Sequence, residues 1–198
     1  MKGSLFIFLA IVMVFSLSQC KNSRKTAANQ QRELDSLVAV YQTINDSIDF
    51  AWNAMIEDDD DKHLFMKRLL LEVSYTNSYD KTRFNALNQQ IDRLKAMRYD
   101  RGTMADSRRI DDYDSATSVV SAVVIDFALR HPGYDDSDLM KELVDDINDK
   151  NGMILIFRIH YDGFVKDREK FIKKNKKKLL KAFDQTEFES LPVFALPA

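Results

Sequence analysis

Apolar residues recur along this chain at helical intervals. From Leu34 the series continues through Leu37, Tyr41, Ile44, Ile48, Ala51 and Met55, in alternating steps of three and four. That spacing is one face of an amphipathic helix packed at coiled-coil-like angles. The stripe falters over Glu57-Asp58-Asp59-Asp60-Asp61-Lys62 and resumes at Phe65, Leu69 or Leu70, and Val73. Either the helix is continuous with an exposed acidic stretch, or it breaks there. A second stripe, Phe84, Leu87, Ile91 and Leu94, stops before Gly102. A third, Ile110, Tyr113, Thr117, Val120, Val124 and Phe127, stops before Pro132, which cannot continue a helix interior. Thr103 and Asp106 are a capping pair for its start. A fourth follows Asp135-Asp136-Ser137, from Leu139 or Met140 through Leu143, Ile147, Ile154, Phe157, Tyr161, Phe164 or Val165, and Phe171 or Ile172 to Leu179, with Gly152 as a possible kink. No alternating strand pattern bounded by turns occurs. Four stripes with short connections predict an all-α fold, an antiparallel up-down four-helix bundle with long first and last helices, over residues 30–184. Phe188, Leu191, Pro192, Val193, Phe194 and Leu196 make residues 185–198 an apolar tail that is expected to fold back on the bundle.

The first residues follow a different logic. Met1-Lys2-Gly3-Ser4 is a basic start, Leu5 to Phe15 is an unbroken apolar run, and Ser16-Leu17-Ser18-Gln19 leads to Cys20. These are the three parts of a secretory signal peptide, placed at residues 1–19. The run is well short of the roughly 20 apolar residues that span a bilayer. Cys20 is the one cysteine of the chain, so it has no internal disulfide partner. Its position resembles a bacterial lipobox, with Gln19 departing from the usual small residue, and implies diacylglycerol on the thiol and acylation of the new amine. Two alternatives stand beside this: a cleaved signal with a chance cysteine, and an uncleaved anchor. Residues 20–29 are polar and basic, and read as a tether near the head groups. The expected location is a membrane facing the periplasm. Lys21, rather than an aspartate, follows the lipid site and favours the inner leaflet of the outer membrane.

Charge and composition narrow the function. With 29 basic and 31 acidic residues, net charge −2, the chain has no global field for nucleic acid. Gly and Pro are scarce, at 5 and 3, as suits long helices. In an up-down bundle the end of the fourth helix returns towards the anchor. Lys173, Lys174, Lys176, Lys177, Lys178 and Lys181 are therefore candidates for contact with anionic head groups, beside the alternative of a solvated helix face.

Reactive patterns are few. No Glu-x-x-His pair suits a di-iron bundle; Asp60-x-x-His63 stands alone in a charge run. Asp146-Ile147-Asn148-Asp149-Lys150-Asn151-Gly152 fails as a calcium loop, because its glycine is one place late and Phe157 stands at position twelve. His131 is expected to cap carbonyls at a helix end, and His160 to be packed or exposed. No glycine-rich phosphate loop and no nucleophile–base set occurs, so neither a catalytic site nor a cofactor is expected. Trp52, with Tyr41 and Phe50, reads as core or as a groove-lining aromatic.

His131-Pro132, followed by Leu139-Met140-Lys141-Glu142-Leu143, Ile147 and Ile154, then Arg158-Ile159-His160-Tyr161-Asp162 and Val165, resembles the final third of the LemA family of membrane-anchored helical proteins. Trp52 with the apolar stretch Leu69 to Val73 is similar to that family's first helix. Asp162 stands where the family has Asn, and Asp61 to Leu70 departs from its pattern. The resemblance implies an antiparallel four-helix bundle and an extracytoplasmic role, with Trp52, Pro132, Arg158, Tyr161 and Asp162 as its signature, and implies no reaction. The expectation is a non-enzymatic interaction or scaffold protein, held to the membrane by lipid and bound to an envelope protein through Glu57 to Asp61 or Lys173 to Lys181. The alternative is a ligand- or metal-binding bundle with a cavity near Trp52, His63 or Tyr161.

Overall fold

The computed structural model describes the backbone of residues 3–76 and 78–194, and the side chains of these residues from 28 onward. Four helices follow in order: α1, Gly3–Ser74; α2, Lys81–Met97; α3, Ser107–Leu129; and α4, Asp138–Phe183. There is no strand among the described residues. The protein is all-α, with long first and last helices.

Local chemistry sets the ends. The Asp80 carboxylate accepts from the backbone N–H groups of Thr82 and Arg83 at 2.9 and 3.0 Å, satisfying donors that the first turn of α2 leaves open. Asp106 does the same for Arg108 in α3, and Ser137 Oγ accepts from Met140 N–H in α4 at 3.2 Å. Thr103 does not share in capping α3, as the sequence suggested; its hydroxyl and N–H are engaged by Asp100 in the preceding turn. Asp184, at φ 51°, takes the left-handed position after α4, and Gln185 N–H reaches back to Leu180 C=O at 3.0 Å.

The chain divides into two compact units. The first comprises Met1–Asn45 and Arg168–Glu189. Its helices run antiparallel, because Glu33 pairs with Lys178 while Asn45 meets Arg168. Tyr41 packs on Phe183 and Phe188, at centroid distances of 5.2 and 5.4 Å. Arg168 is buried, donating to Asn45 Oδ1, Tyr41 Oη and the Glu189 carbonyl at 3.0, 3.1 and 2.9 Å. Two helices alone cannot enclose their apolar stripe, so Leu34, Leu37 and Ile44 stay half-buried.

The second unit, Asp46–Asp167 with Ser190–Ala198, contains parts of all four helices. Successive helices alternate in direction: Asp60 meets Arg98 while Lys67 pairs with Asp92; Arg83 meets Asp126; Asp114 meets Arg158 while Ser121 meets Asn151. Its core holds Ile48, Met55, Leu69, Leu70 and Val73 from α1, and Leu87, Ile91 and Leu94 from α2. Ile110, Tyr113, Val120 and Val124 come from α3, and Leu143, Ile147, Tyr161 and Val165 from α4. Each buried aliphatic side chain contributes roughly 1.5–3 kcal/mol. α1 passes through Glu57–Lys62 without a break, and α4 passes through Gly152. Between Ile147 and Tyr161, however, α4 has no buried residue: Ile154 and Phe157 are half-buried, and Met153, Leu155, Ile156 and Ile159 face solvent. No helix among the described residues is long and apolar enough to cross a membrane.

Candidate functional site

Four of the five signature positions converge where the C-terminal segment lies against α4. Trp52 is 9% exposed and Tyr161 is fully buried, their rings 5.6 Å apart in an edge contact. Phe194 sits among them: it stacks on Trp52 at 6.2 Å with 14° between planes, and meets Tyr99 and Tyr161 edgewise at 5.8 and 5.6 Å. Asp162, buried one residue beyond Tyr161, accepts the Phe194 backbone N–H at 2.8 Å. Arg158 lies over the Phe194 ring at 5.1 Å. It is held there by a two-pronged ion pair with Asp114, both contacts 2.7 Å, and by a hydrogen bond to Tyr99 Oη at 2.8 Å. Burial opposes its charge, but Asp114 and Tyr99 overcome that and raise its pKa above the usual arginine value. Burial likewise raises the Tyr99 phenol, against the pull of Arg158. Arg101 covers the Trp52 ring at 5.2 Å and pairs with Asp49.

Beside this cluster a groove of about 390 Å³ opens between α3 and α4. Ile110, Leu155 and Ile159 give it apolar walls, and Asp111, Asp114 and Asp162 an acidic edge against the single cation of Arg158. Leu155 and Ile159 are 62% and 67% exposed.

Pro132 does not join the signature cluster. It is exposed in the connection after α3, beside His131, whose Nε2 hydrogen-bonds Thr76 Oγ1 at 2.7 Å. Trp52 lies 22 residues before the end of α1 at Ser74, or roughly 33 Å at the helical rise. His131 is not a carbonyl cap: it is buried, and its Nδ1 accepts the Gly133 N–H at 3.1 Å, closing the α3–α4 turn.

The acidic stretch is not the solvated surface that its composition suggests. Asp58 and Asp59 are buried, as are Lys62 and His63. Asp59 accepts from the Tyr113 hydroxyl, lies 3.2 Å from both Lys62 Nζ and Arg98 Nη1, and is 4.0 Å from His63 Nε2. Lys150 of α4 bridges Asp58 and Asp61 at 2.8 and 3.1 Å. Burial works to raise the Asp59 carboxyl, but these partners hold it below the usual carboxylate range. Burial lowers the His63 imidazole, with Lys62 and Arg98 adding to it and Asp59 opposing. Burial beside the Asp59 charge pushes the Tyr113 phenol well up. These groups are spent on one another, and the outer Asp60 and Asp61 are themselves paired, with Arg98 at 2.8 Å and with Lys150 at 3.1 Å, which leaves Glu57 as the exposed carboxylate of the stretch. Among the described residues, no three His, Cys, Asp or Glu side chains are grouped to hold a metal ion. The space near Trp52 and Tyr161, expected as a ligand cavity, is filled by Phe194.

Lys173, Lys174, Lys176, Lys177, Lys178 and Lys181 are all exposed, as is His160. Of the aromatics grouped with Trp52, Phe50 is exposed rather than core. The Cys20 side chain lies outside the described residues. Sequence reasoning missed Tyr99, Arg101 and Asp114. The first two lie in the connection after α2, where no periodicity reaches, and Asp114 stands one place off the α3 stripe. No protein-family model, curated protein or solved structure matches the chain.

Proposed function

We propose that this is a lipid-anchored, extracytoplasmic helical-bundle protein of the bacterial cell envelope, non-enzymatic, that works by binding another envelope protein. The anchor rests on the leader and Cys20. The binding role rests chiefly on one observation: α4 turns Leu155, Ile156 and Ile159 to solvent beside the groove, while α2 and α3 bury Leu87, Ile91, Leu94, Val120 and Val124. Exposed apolar patches rimmed by charge mark interaction surfaces. The clustering of Arg158, Tyr161, Asp162 and Trp52 is compatible with the LemA likeness, which on this reading is that of a divergent relative. The acyl chains would fix where the bundle stands, in a membrane facing the periplasm, with the inner leaflet of the outer membrane favoured.

Photocrosslinking in the native host, from positions next to Leu155 and Ile159 in the intact anchored protein, tests this. The expected result is a recurrent envelope protein that disappears in Leu155→Asp/Ile159→Asp while circular dichroism is unchanged. Crosslinks to lipid and random neighbours alone, unaltered by the double variant, contradict it. The groove volume, within the range of small-molecule sites, favours a second reading as a ligand-binding bundle. A thermal-shift screen would then give a ligand whose effect is lost in the same variant.

A further inference from the structure

We propose that the seat of Phe194 is a peptide-binding site, which residues 190–194 of the chain itself occupy, and that its partner in trans is an extended segment carrying one aromatic side chain followed by an apolar and then a basic residue. This rests on the interaction reading above and names the partner's chemistry.

The seat is complete without the tail, since Trp52, Tyr99, Arg158, Tyr161 and Asp162 all belong to residues 46–167. From Ser190 to Phe194 the tail is an irregular strap, with neither helix nor strand. At the seat it uses one ring in an aromatic pocket under a guanidinium, and one backbone N–H given to a buried carboxylate. An aromatic anchor set in a pocket with a backbone hydrogen bond beside it is how peptides are held on protein surfaces, and none of it requires the half-buried Phe194 to be covalently attached. The groove continues from the same point, and Phe194 itself forms part of its wall. Ile159 and Leu155 offer contact to an apolar residue following the aromatic one. Arg158 is neutralised by Asp114, so the exposed Asp111 gives this wall of the groove a negative charge that a lysine or arginine would match. The tethered tail competes at the high effective concentration of a short linker, so an outside peptide binds the intact chain weakly until the strap is displaced.

Trp52 is the chain's single tryptophan and touches Phe194, so its fluorescence reports the seat directly. The probe is an acetylated, amidated peptide copying residues 190–194, extended by leucine and two lysines. Full-length Phe194→Ala should show a shifted Trp52 emission that the peptide reverses saturably, at least tenfold more tightly than it acts on the wild type. A control peptide with alanine for the phenylalanine should do nothing, and Asp111→Asn should weaken binding several-fold. Equal binding to wild type and Phe194→Ala, or equal binding of the control peptide, overturns the inference. Should Phe194→Ala fail to fold, the wild type suffices: the peptide at millimolar concentration should speed amide exchange at Leu191, Val193 and Phe194, and unchanged exchange overturns the inference. Crosslinking at Leu155 and Ile159 does not depend on Phe194. Failure here with a partner still captured there removes the peptide site and leaves the scaffold reading standing.

Discussion

Asp59 and His63 stand in a run of charge that composition alone assigns to the surface, yet both are inside the bundle. They are tolerable there because each meets its partners: a buried carboxylate is stable when paired and hydrogen-bonded, and a buried imidazole when neutral. The consequence is a dependence on pH with a definite sign. His63 is lowered in the fold relative to about 6.5 in the unfolded chain, so below that value the unfolded state binds a proton that the folded state resists. Stability contributed by neutral His63 is therefore full above pH 7 and declines as the pH falls towards 5, with a slope of at most about 1.4 kcal/mol per pH unit. Asp59, also lowered, adds a further loss only below about pH 4. Urea unfolding at pH 8, 7, 6 and 5 should show this decline in the wild type and a flatter profile in His63→Gln. Identical profiles would mean that His63 does not titrate on unfolding. The periodicity of α1 does not reveal this network, because Arg98, Tyr113 and Lys150 reach it from three other places in the chain. The acid run was legible as charge and illegible as structure.

At the level of the element, the hydrophobic stripes carry the fold. Apart from the half-buried Phe84, their positions in α2 and α3 coincide with the buried residues Leu87, Ile91, Leu94, Ile110, Tyr113, Thr117, Val120, Val124 and Phe127, since burying a stripe is the largest favourable contribution available to a helix. The same rule misleads in α4. Ile154 and Phe157 keep the period but are only half-buried, because an apolar run of Met153 to Phe157 supplies more greasy surface than one face can hide. What periodicity cannot foresee is a buried arginine such as Arg168, whose three hydrogen bonds join α1, α4 and the segment after it. Charged-group hydrogen bonds of this kind contribute roughly 1.5–3 kcal/mol each when lost unilaterally. Arg168→Met keeps the bulk and removes the bonds, so amide exchange in Gln185 to Glu189 should accelerate at least tenfold, while α2 and α3 keep their protection. Unchanged exchange at those residues would show that Arg168 does not hold the segment.

At the scale of the whole molecule, four helices and their order were legible from the sequence, whereas the division into two units was not: it depends on where α1 and α4 have α2 and α3 for company, which no local pattern records. The lysine-bearing end of α4 lies beside the first half of α1 in the first unit, Lys178 against Glu33. Thirteen residues of α1 separate Glu33 from Cys20, about 20 Å at the helical rise. That exceeds the Debye length of about 8 Å at physiological salt, so the lysines reach head groups only if this stretch lies along the surface rather than upright. Each lysine then contributes up to about 1 kcal/mol on anionic lipid. Unacylated protein should bind vesicles with 30% anionic lipid and leave neutral ones, a preference that Lys173→Gln/Lys174→Gln/Lys176→Gln/Lys177→Gln abolishes. Equal binding to both vesicles would assign these lysines to solvent alone.

The role proposed for the bundle depends on its being held at a membrane through Cys20. Mass spectrometry of the intact protein extracted from membranes of its native host measures that directly. The expected species is a chain lacking residues 1–19 that begins at a cysteine bearing diacylglycerol and an acylated amine. A retained leader, or a free thiol at Cys20, would contradict it.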